Sequence, residues 1–389
     1  MHAVHGQGSP FSARELALLR PGEFHALGAN PNRVLDTAQA RYLLEFSRLA
    51  PSAHNTVPAA FRLGTRGDAL DVFLRPEFVL DASDPTGEEA LISVGCAVEA
   101  FVMAAARYGV ACAWRRSSAL APSDVLPARG RAPVHVGTLE LSRAGDFAQE
   151  PDFRALEALI ERQVVRAEYD RALTLPAELA AALEAAVAAV AGVSLLVFQT
   201  SAQKFAWAKL DEMATKHELE QAPFRAELGA WLLSNRDVTS TRGMRGHEFG
   251  LDDAMTSKLR AELSGDVPLE TDQLANLARA SRIGIVSSSA LGVLSTRDDA
   301  ADGAMLVGRA FQRAAVTLVQ HGFSCALHTA ICQVPYVRAM AQASLTRGAR
   351  PKLLFRMGKP LSVEHARRPR SSRPPLEELL LTSTERAPT

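Results

Sequence analysis

The chain has 389 residues, with 43 basic and 43 acidic side chains, 47% hydrophobic, 22% charged and 6% aromatic residues, and four cysteines. These figures exclude a disordered tail protein, a cysteine-stapled secreted scaffold and a strongly electrostatic nucleic-acid binder. At about 100–200 residues per domain, the chain is long enough for two domains or one large composite.

Residues 1–32 read as an N-terminal extension that packs on the main body. They lack a positive region followed by an apolar stretch of secretory type, so a cytoplasmic location is expected. Asp36 is a plausible N-cap for a helix over 37–50, with Ala40, Leu43, Leu44 and Ser47 near one face. Pro51 and Pro58 enclose a short polar loop, and two strand-like runs, 61–65 and 70–74, flank the hairpin signal Arg66-Gly67-Asp68.

The apolar face of 88–108 predicts a buried helix stopped by Gly109, and 135–141 reads as a strand. A second set follows: helices over 153–169 and 176–191, a strand at 193–200, a helix at 202–219 and another at 224–233. Leu179 to Phe198 is the most membrane-like stretch. Gly192 divides it into an Ala-rich helix and a β-branched strand, so no membrane span is expected. Residues 234–252 are polar and glycine-bearing, as a lid or loop would be. The stretch 283–294 is strand-like in its latter part, a helix runs 305–320 to the stop at Gly322, and 352–356 is a final strand. Residues 363–389 read as a loosely ordered tail. Cys96, Cys112, Cys325 and Cys332 form no C-x-x-C pair, and His217-Glu218 lacks the second histidine of H-E-x-x-H. Reduced thiols and no metal site are expected.

The segment Ala50-Pro51-Ser52-Ala53-His54-Asn55-Thr56-Val57-Pro58 resembles the Pro-Ser-x-x-Asn-x-Gln-Pro signature of flavin-dependent nitroreductases. Residues 286–299, 308–322 and 351–358 are similar to that family's strand, long helix and closing strand. The chain's length and two element sets resemble a fused subgroup with two nitroreductase-like halves, of which mycobacterial Acg-like proteins are the type. The resemblance implies an α+β fold, a mixed or antiparallel sheet flanked by helices, with halves at 33–145 and 146–362. It also implies FMN at their junction, NAD(P)H as a transient reductant, a small-molecule substrate, and a monomer that mimics a dimer or a homodimer.

Carried onto this chain, the resemblance makes Ser52, His54 and Asn55 ligands from the first loop. Arg162 and Arg166 match the arginines that open the nitroreductase fold and hold phosphate. At i and i+4 they would converge on one helix face, though a solvated face is the alternative. Ser287 and Ser288 either bring hydroxyls to the flavin or end a buried strand, and Arg356 is a phosphate candidate. His321, His328 and Cys332 read as core and turn residues.

Val57-Pro58-Ala59 replaces the family's Gln-Pro-Trp, which either alters flavin binding or enlarges a substrate pocket. No glycine-rich dinucleotide fingerprint follows an early strand. The leading expectation is an FMN-dependent oxidoreductase acting on an electron-poor nitro compound or quinone. The rivals are a non-enzymatic FMN-binding, storage or sequestration protein and a scaffold without flavin.

Overall fold

In a computed structural model of the chain, residues 33–118, 132–144, 153–297, 301–345, 348–361 and 370–381 are described, together with Leu18 and Phe24. Helix α1 (Thr37–Arg48) starts at Asp36, which forms a reciprocal capping box with Gln39. Strands β1 (Ala59–Leu63) and β2 (Ala69–Leu74) form an antiparallel hairpin. Helix α2 (Glu88–Arg107) is followed by β3 (Val110–Arg116) and β4 (Val134–Arg143), which give a sheet of order β1-β2-β4-β3. The second set contains α3 (Phe153–Glu161), α4 (Ala177–Ala188) and β5 (Val193–Phe198), then α5 (Ser201–Glu220), α6 (Ala222–Trp231) and the two-residue parallel pair β6 (Leu232–Leu233) and β7 (Met244–Arg245). After them come α7 (Asp253–Ser264), α8 (Thr271–Val286), β8 (Ala290–Thr296), α9 (Ala301–Gln320), β9 (Ser324–Leu327), α10 (Ala330–Gln333), α11 (Pro335–Ala343) and β10 (Arg350–Gly358).

The second sheet has the order β5-β8-β10-β9, again wholly antiparallel. Taken in chain order within each set, the two sheets share one topology. In both, a 20-residue helix joins the second strand to the third. These helices, α2 and α9, pack on each other at the centre of the core, and α1 and α4 flank them in corresponding places.

The crossing of α2 and α9 is reciprocal. A Cβ on Gly95 would overlap the Met305 carbonyl oxygen, and a Cβ on Gly308 would overlap that of Ile92. Each glycine lies three residues after the residue whose carbonyl the other approaches. Beside the contact, the Cys96 thiol donates to the Gly308 carbonyl at 3.2 Å. One turn along, the fully buried Glu99 carboxylate meets Arg309 at 2.7 Å and Arg313 at 2.5 Å, so the seam carries a paired charge.

Several sequence expectations shift. The helix expected over 153–169 ends at Glu161, and β3, β9, α7 and α8 enter where no element was expected. The tail was expected to be loose, but 370–381 packs on the first sheet: Leu376 and Leu379 are buried, and Leu381 donates its amide to the Phe61 carbonyl at 2.8 Å. Of the extension, Leu18 and Phe24 are both buried. The Tyr42 hydroxyl donates to the Leu18 carbonyl, and the Phe24 ring lies 4.2 Å from that of Tyr108. The remainder of both termini lies outside the described residues.

Gly95→Ala and Gly308→Ala should each destabilise the chain by about 1–3 kcal/mol, the usual cost of forcing a methyl group into a close-packed seam. Urea unfolding at equilibrium measures the loss. Stability equal to wild type in both variants would show that the helices can separate at no cost.

Candidate active site

Two adjoining cavities lie beside this crossing. The smaller, about 190 Å³, is bounded by the 51–54 loop, the first turns of α2 at Glu89, Ile92, Ser93 and Cys96, Phe311 of α9 and Leu353 of β10. The larger, about 460 Å³, is walled by α5 to α8 and by the chain that leaves β9. Arg166, Leu228, Phe249, Leu327 and Thr329 line both.

The first loop is folded under constraint. His54, Asn55 and Val57 have positive φ of 44°, 57° and 50°, in the left-handed region that costs most side chains energy. The Ser52 hydroxyl accepts the Val57 amide at 2.9 Å and so closes the loop on itself. Ser52 and His54 line the smaller cavity, as the sequence suggested. Burial pushes the His54 imidazole down to about 4, and its Nδ1 is enclosed with no hydrogen-bond partner among the described residues.

Asn55 is committed elsewhere. Its Nδ2 donates to the Gly243 and Ser372 carbonyls at 3.0 Å each, and its Oδ1 accepts from Arg373 at 2.5 Å. It joins the loop to the 232–249 segment and to the C-terminal strand of chain. Arg242 adds a bond to the Thr56 carbonyl at 3.1 Å, and Arg245 one to the Ser372 hydroxyl at 2.7 Å. The segment expected as a lid therefore forms part of the cavity wall through Met244 and Phe249, fastened at both sides.

Arg162 and Arg166 do not share a helix face, because α3 ends before them and the chain continues extended, bridging Val164 to Cys325. Arg162 is buried and donates one Nη2 to the Leu49 carbonyl at 2.8 Å. Its Nε and Nη1 have no partner among the described residues, and burial lowers its proton affinity. Arg373 reaches the same Leu49 carbonyl at 3.5 Å. Its guanidinium is pushed down to about 9, by burial first and then by Arg162. Arg370 donates to the Ile160 carbonyl close by and depresses both neighbours.

Arg166 turns instead to the cavities, 3.9 Å from Glu248 and stacked 4.5 Å from the Phe249 ring. Arg356 lines the larger cavity from β10, bonded to the Ala167 carbonyl at 2.9 Å and lying over Tyr169. Buried cations crowded in this way favour an anion with several oxygens, the geometry of a phosphate.

Ser287 and Ser288 are not brought to either cavity. Both are fully buried at the end of α8, where their hydroxyls donate to the Gly284 and Ile285 carbonyls at 3.0 and 2.7 Å, and Lys204 caps the Ser288 carbonyl. They terminate a helix, where the alternative reading had a buried strand end.

Of four further cavity residues, the sequence reading named Glu218 and His328 in other roles and did not name Glu89 or Asp211. Burial raises Glu89 to about 7 in the smaller cavity and Glu218 to about 9 in the larger. Asp211 and His328 stand together in the larger cavity, His328 having been read as core. Arg373 belongs to a run assigned to the tail. Only the crowding of arginine after residue 366 hinted at a role.

No family model matches the chain. Two proteins of Mycobacterium tuberculosis, from strains CDC 1551 and H37Rv, are each 36% identical over 74 residues, and their names assign them provisionally as NAD(P)H nitroreductases. Over that stretch the chain is similar to these two proteins. The match spans 19% of this chain and 21% of each relative, so about a fifth of their length is represented.

Among solved structures, the FMN-dependent nitroreductase NfnB of Mycobacterium smegmatis, in complex with NADPH, is 16% identical and covers 59% of this chain and 98% of its own, with a TM-score of 0.39. A Bacteroides fragilis nitroreductase with bound FMN is 16% identical and covers 53% of this chain and 88% of its own, with a TM-score of 0.30.

The raised Glu218 has a thermodynamic consequence. Between the ordinary glutamate value of 4.5 and about 9, the folded chain keeps a proton that the unfolded chain has released, so stability falls as pH rises through that window. His54, lowered from 6.5 to about 4, acts in the opposite sense over its own interval. Glu218→Gln removes the first contribution alone. Its melting temperature should match wild type near about pH 5 and exceed it by several degrees near about pH 8.5. A constant difference across that range would place Glu218 in contact with solvent.

Proposed function

We propose that the chain is an FMN-dependent oxidoreductase that passes electrons to an electron-poor small molecule of the nitro or quinone class. The observation that carries this reading is the pair formed by the buried Arg162 and the half-buried Arg373, side by side on one carbonyl, with guanidinium donors of Arg162 left unpaired. Two like charges out of water cost several kcal/mol unless an anion joins them. A phosphate monoester supplies it, with Arg370 as a third donor and Ser52 and His54 along the adjoining cavity.

When bound, FMN supplies the two-electron chemistry, with NAD(P)H as a transient reductant. The chain's own part is to hold phosphate on the arginines, exclude water with Phe249, Phe311 and Leu353, and present His54 as an uncharged imidazole. The matching strand orders support an internal duplication in which one chain does the work of a dimer, and we place the protein in the cytoplasm.

A second reading is a protein that holds FMN without turnover. The fastening of 232–249 to the first loop by Asn55 and Arg242 favours it, because that segment closes over the smaller cavity.

Gel filtration of the purified chain with FMN, followed by an absorption spectrum, should show stoichiometric co-elution. Arg162→Ala and Arg373→Ala should each weaken retention at least about tenfold, the value of one charge-assisted bond or more, while Ser288→Ala leaves it unchanged. A colourless wild-type chain at micromolar concentration would sink the FMN reading. Bound flavin that NAD(P)H does not bleach would select the holding protein over the enzyme.

A further inference from the structure

The larger cavity carries a polar group that the flavin reading leaves unused. His328 Nδ1 stands 3.0 Å from Asp211 Oδ2, and the Ser281 hydroxyl lies 2.5 Å from the same oxygen and 3.1 Å from Nδ1. A carboxylate offers only acceptors, so Nδ1 carries the ring proton and Nε2 is left with its lone pair. Ser281 donates to Asp211 and completes the clamp. This is not the order of a nucleophilic triad, in which the serine would bond to the other ring nitrogen. Asp211 acts here as a positioning residue that fixes the tautomer of His328.

What remains open is one-sided. His328 Nε2 is an acceptor, and Asp211 Oδ1 is a second acceptor, buried with no hydrogen-bond partner among the described residues. A buried acceptor without a donor costs about 1–3 kcal/mol, so the site is built to receive a donor. Around this head the wall is apolar: Leu219, Leu259, Leu263 and Leu277 face the same space. The other titratable groups facing the cavity are Glu218, Arg166 and Arg356. Glu218 keeps its proton because burial disfavours its charge, Arg166 faces Glu248, and Arg356 bonds the Ala167 carbonyl and lies over Tyr169. An anionic oxygen at the His328–Asp211 head would meet only acceptors, whereas a hydroxyl finds a partner there, and 460 Å³ is the size of an ordinary small-molecule pocket.

We infer that this cavity binds an uncharged hydroxyaromatic molecule, of the phenol or hydroquinone class, with its rings against the leucines and its hydroxyl donating to His328 Nε2. The inference goes beyond the flavin reading and does not need it, since none of the polar atoms it uses belongs to the arginine cluster.

The test compares two probes of one shape. 2-Naphthol has the donor, and 2-methoxynaphthalene replaces it with a methyl ether. Titration calorimetry on the full-length chain, as purified and again after loading with FMN, should give at least about tenfold tighter binding of 2-naphthol, the equivalent of about 1.4 kcal/mol. In His328→Phe the preference should disappear while 2-methoxynaphthalene still binds, a result that a merely structural histidine would not produce. In Leu259→Trp, which fills the apolar end, both probes should be lost.

Equal affinities of the two probes for the wild-type chain, or no binding of either, would overturn the inference without recourse to any variant. Retention of the 2-naphthol preference in His328→Phe would overturn it as well. FMN retention is read separately by absorbance, so failure of the flavin reading leaves these outcomes distinguishable.

Discussion

The close approach of α2 and α9 is the constraint on which the rest of the molecule depends. Two helices cross with backbones in contact only where neither has a side chain at the crossing, and Gly95 and Gly308 supply that absence to each other. The contact sets the separation of the two sheets, since each helix joins the second and third strands of its own. The Glu99 pair with Arg309 and Arg313 then fixes the sliding register, because a buried carboxylate left alone would be far more costly than the geometry that pairs it. Cavities survive beside such a seam because backbone-to-backbone packing leaves the flanks to larger side chains such as Phe311 and Ile92.

Charge is distributed against expectation. The chain is neutral overall, yet the half-buried Arg370 and Arg373 crowd the buried Arg162, two of the three with their proton affinity lowered. On the other side of the same region, Glu89 and Glu218 are raised. Stability is spent in both places to keep cations close and carboxyls protonated. This pattern marks a site more than a scaffold, since a core chosen for stability alone would replace both sets with apolar groups.

Periodicity made much of the fold legible. The apolar face of 88–107, the hairpin at 64–68 and the glycine break at Gly192 each appear where the pattern of side chains places them. The failures have local causes. Arg162 and Arg166 have helical spacing, but α3 stops at Glu161 and the pairing of Val164 with Cys325 draws the chain into extended form. The serines of 287–289 look like ligands in one dimension and are a helix terminus in three. Asn55 matched a motif by residue type, and its bonds go to Gly243, Ser372 and Arg373, which are nearly two hundred or more residues away in sequence. His328 read as a core or turn residue because its partner, Asp211, lies on a helix more than a hundred residues earlier. Pair chemistry between distant residues leaves no trace in spacing.

The two sets of elements share a strand order but are not symmetrical, and the asymmetry bears on where a site can form. In the first half, the connection from α1 to β1 is the long polar loop with Ser52 and His54, while β1 and β2 are joined by a tight hairpin. In the second half these lengths are exchanged. The connection from α4 to β5 is only Ala189 to Gly192, without a polar side chain, and that from β5 to β8 expands into residues 199–289. The expanded connection carries α5 to α8, Met244 and Phe249, which form the walls of both cavities. One half thus contributes the polar loop and the other the enclosure, and each lacks what the other has. A crevice related to this one by the crossing of α2 and α9 would have neither.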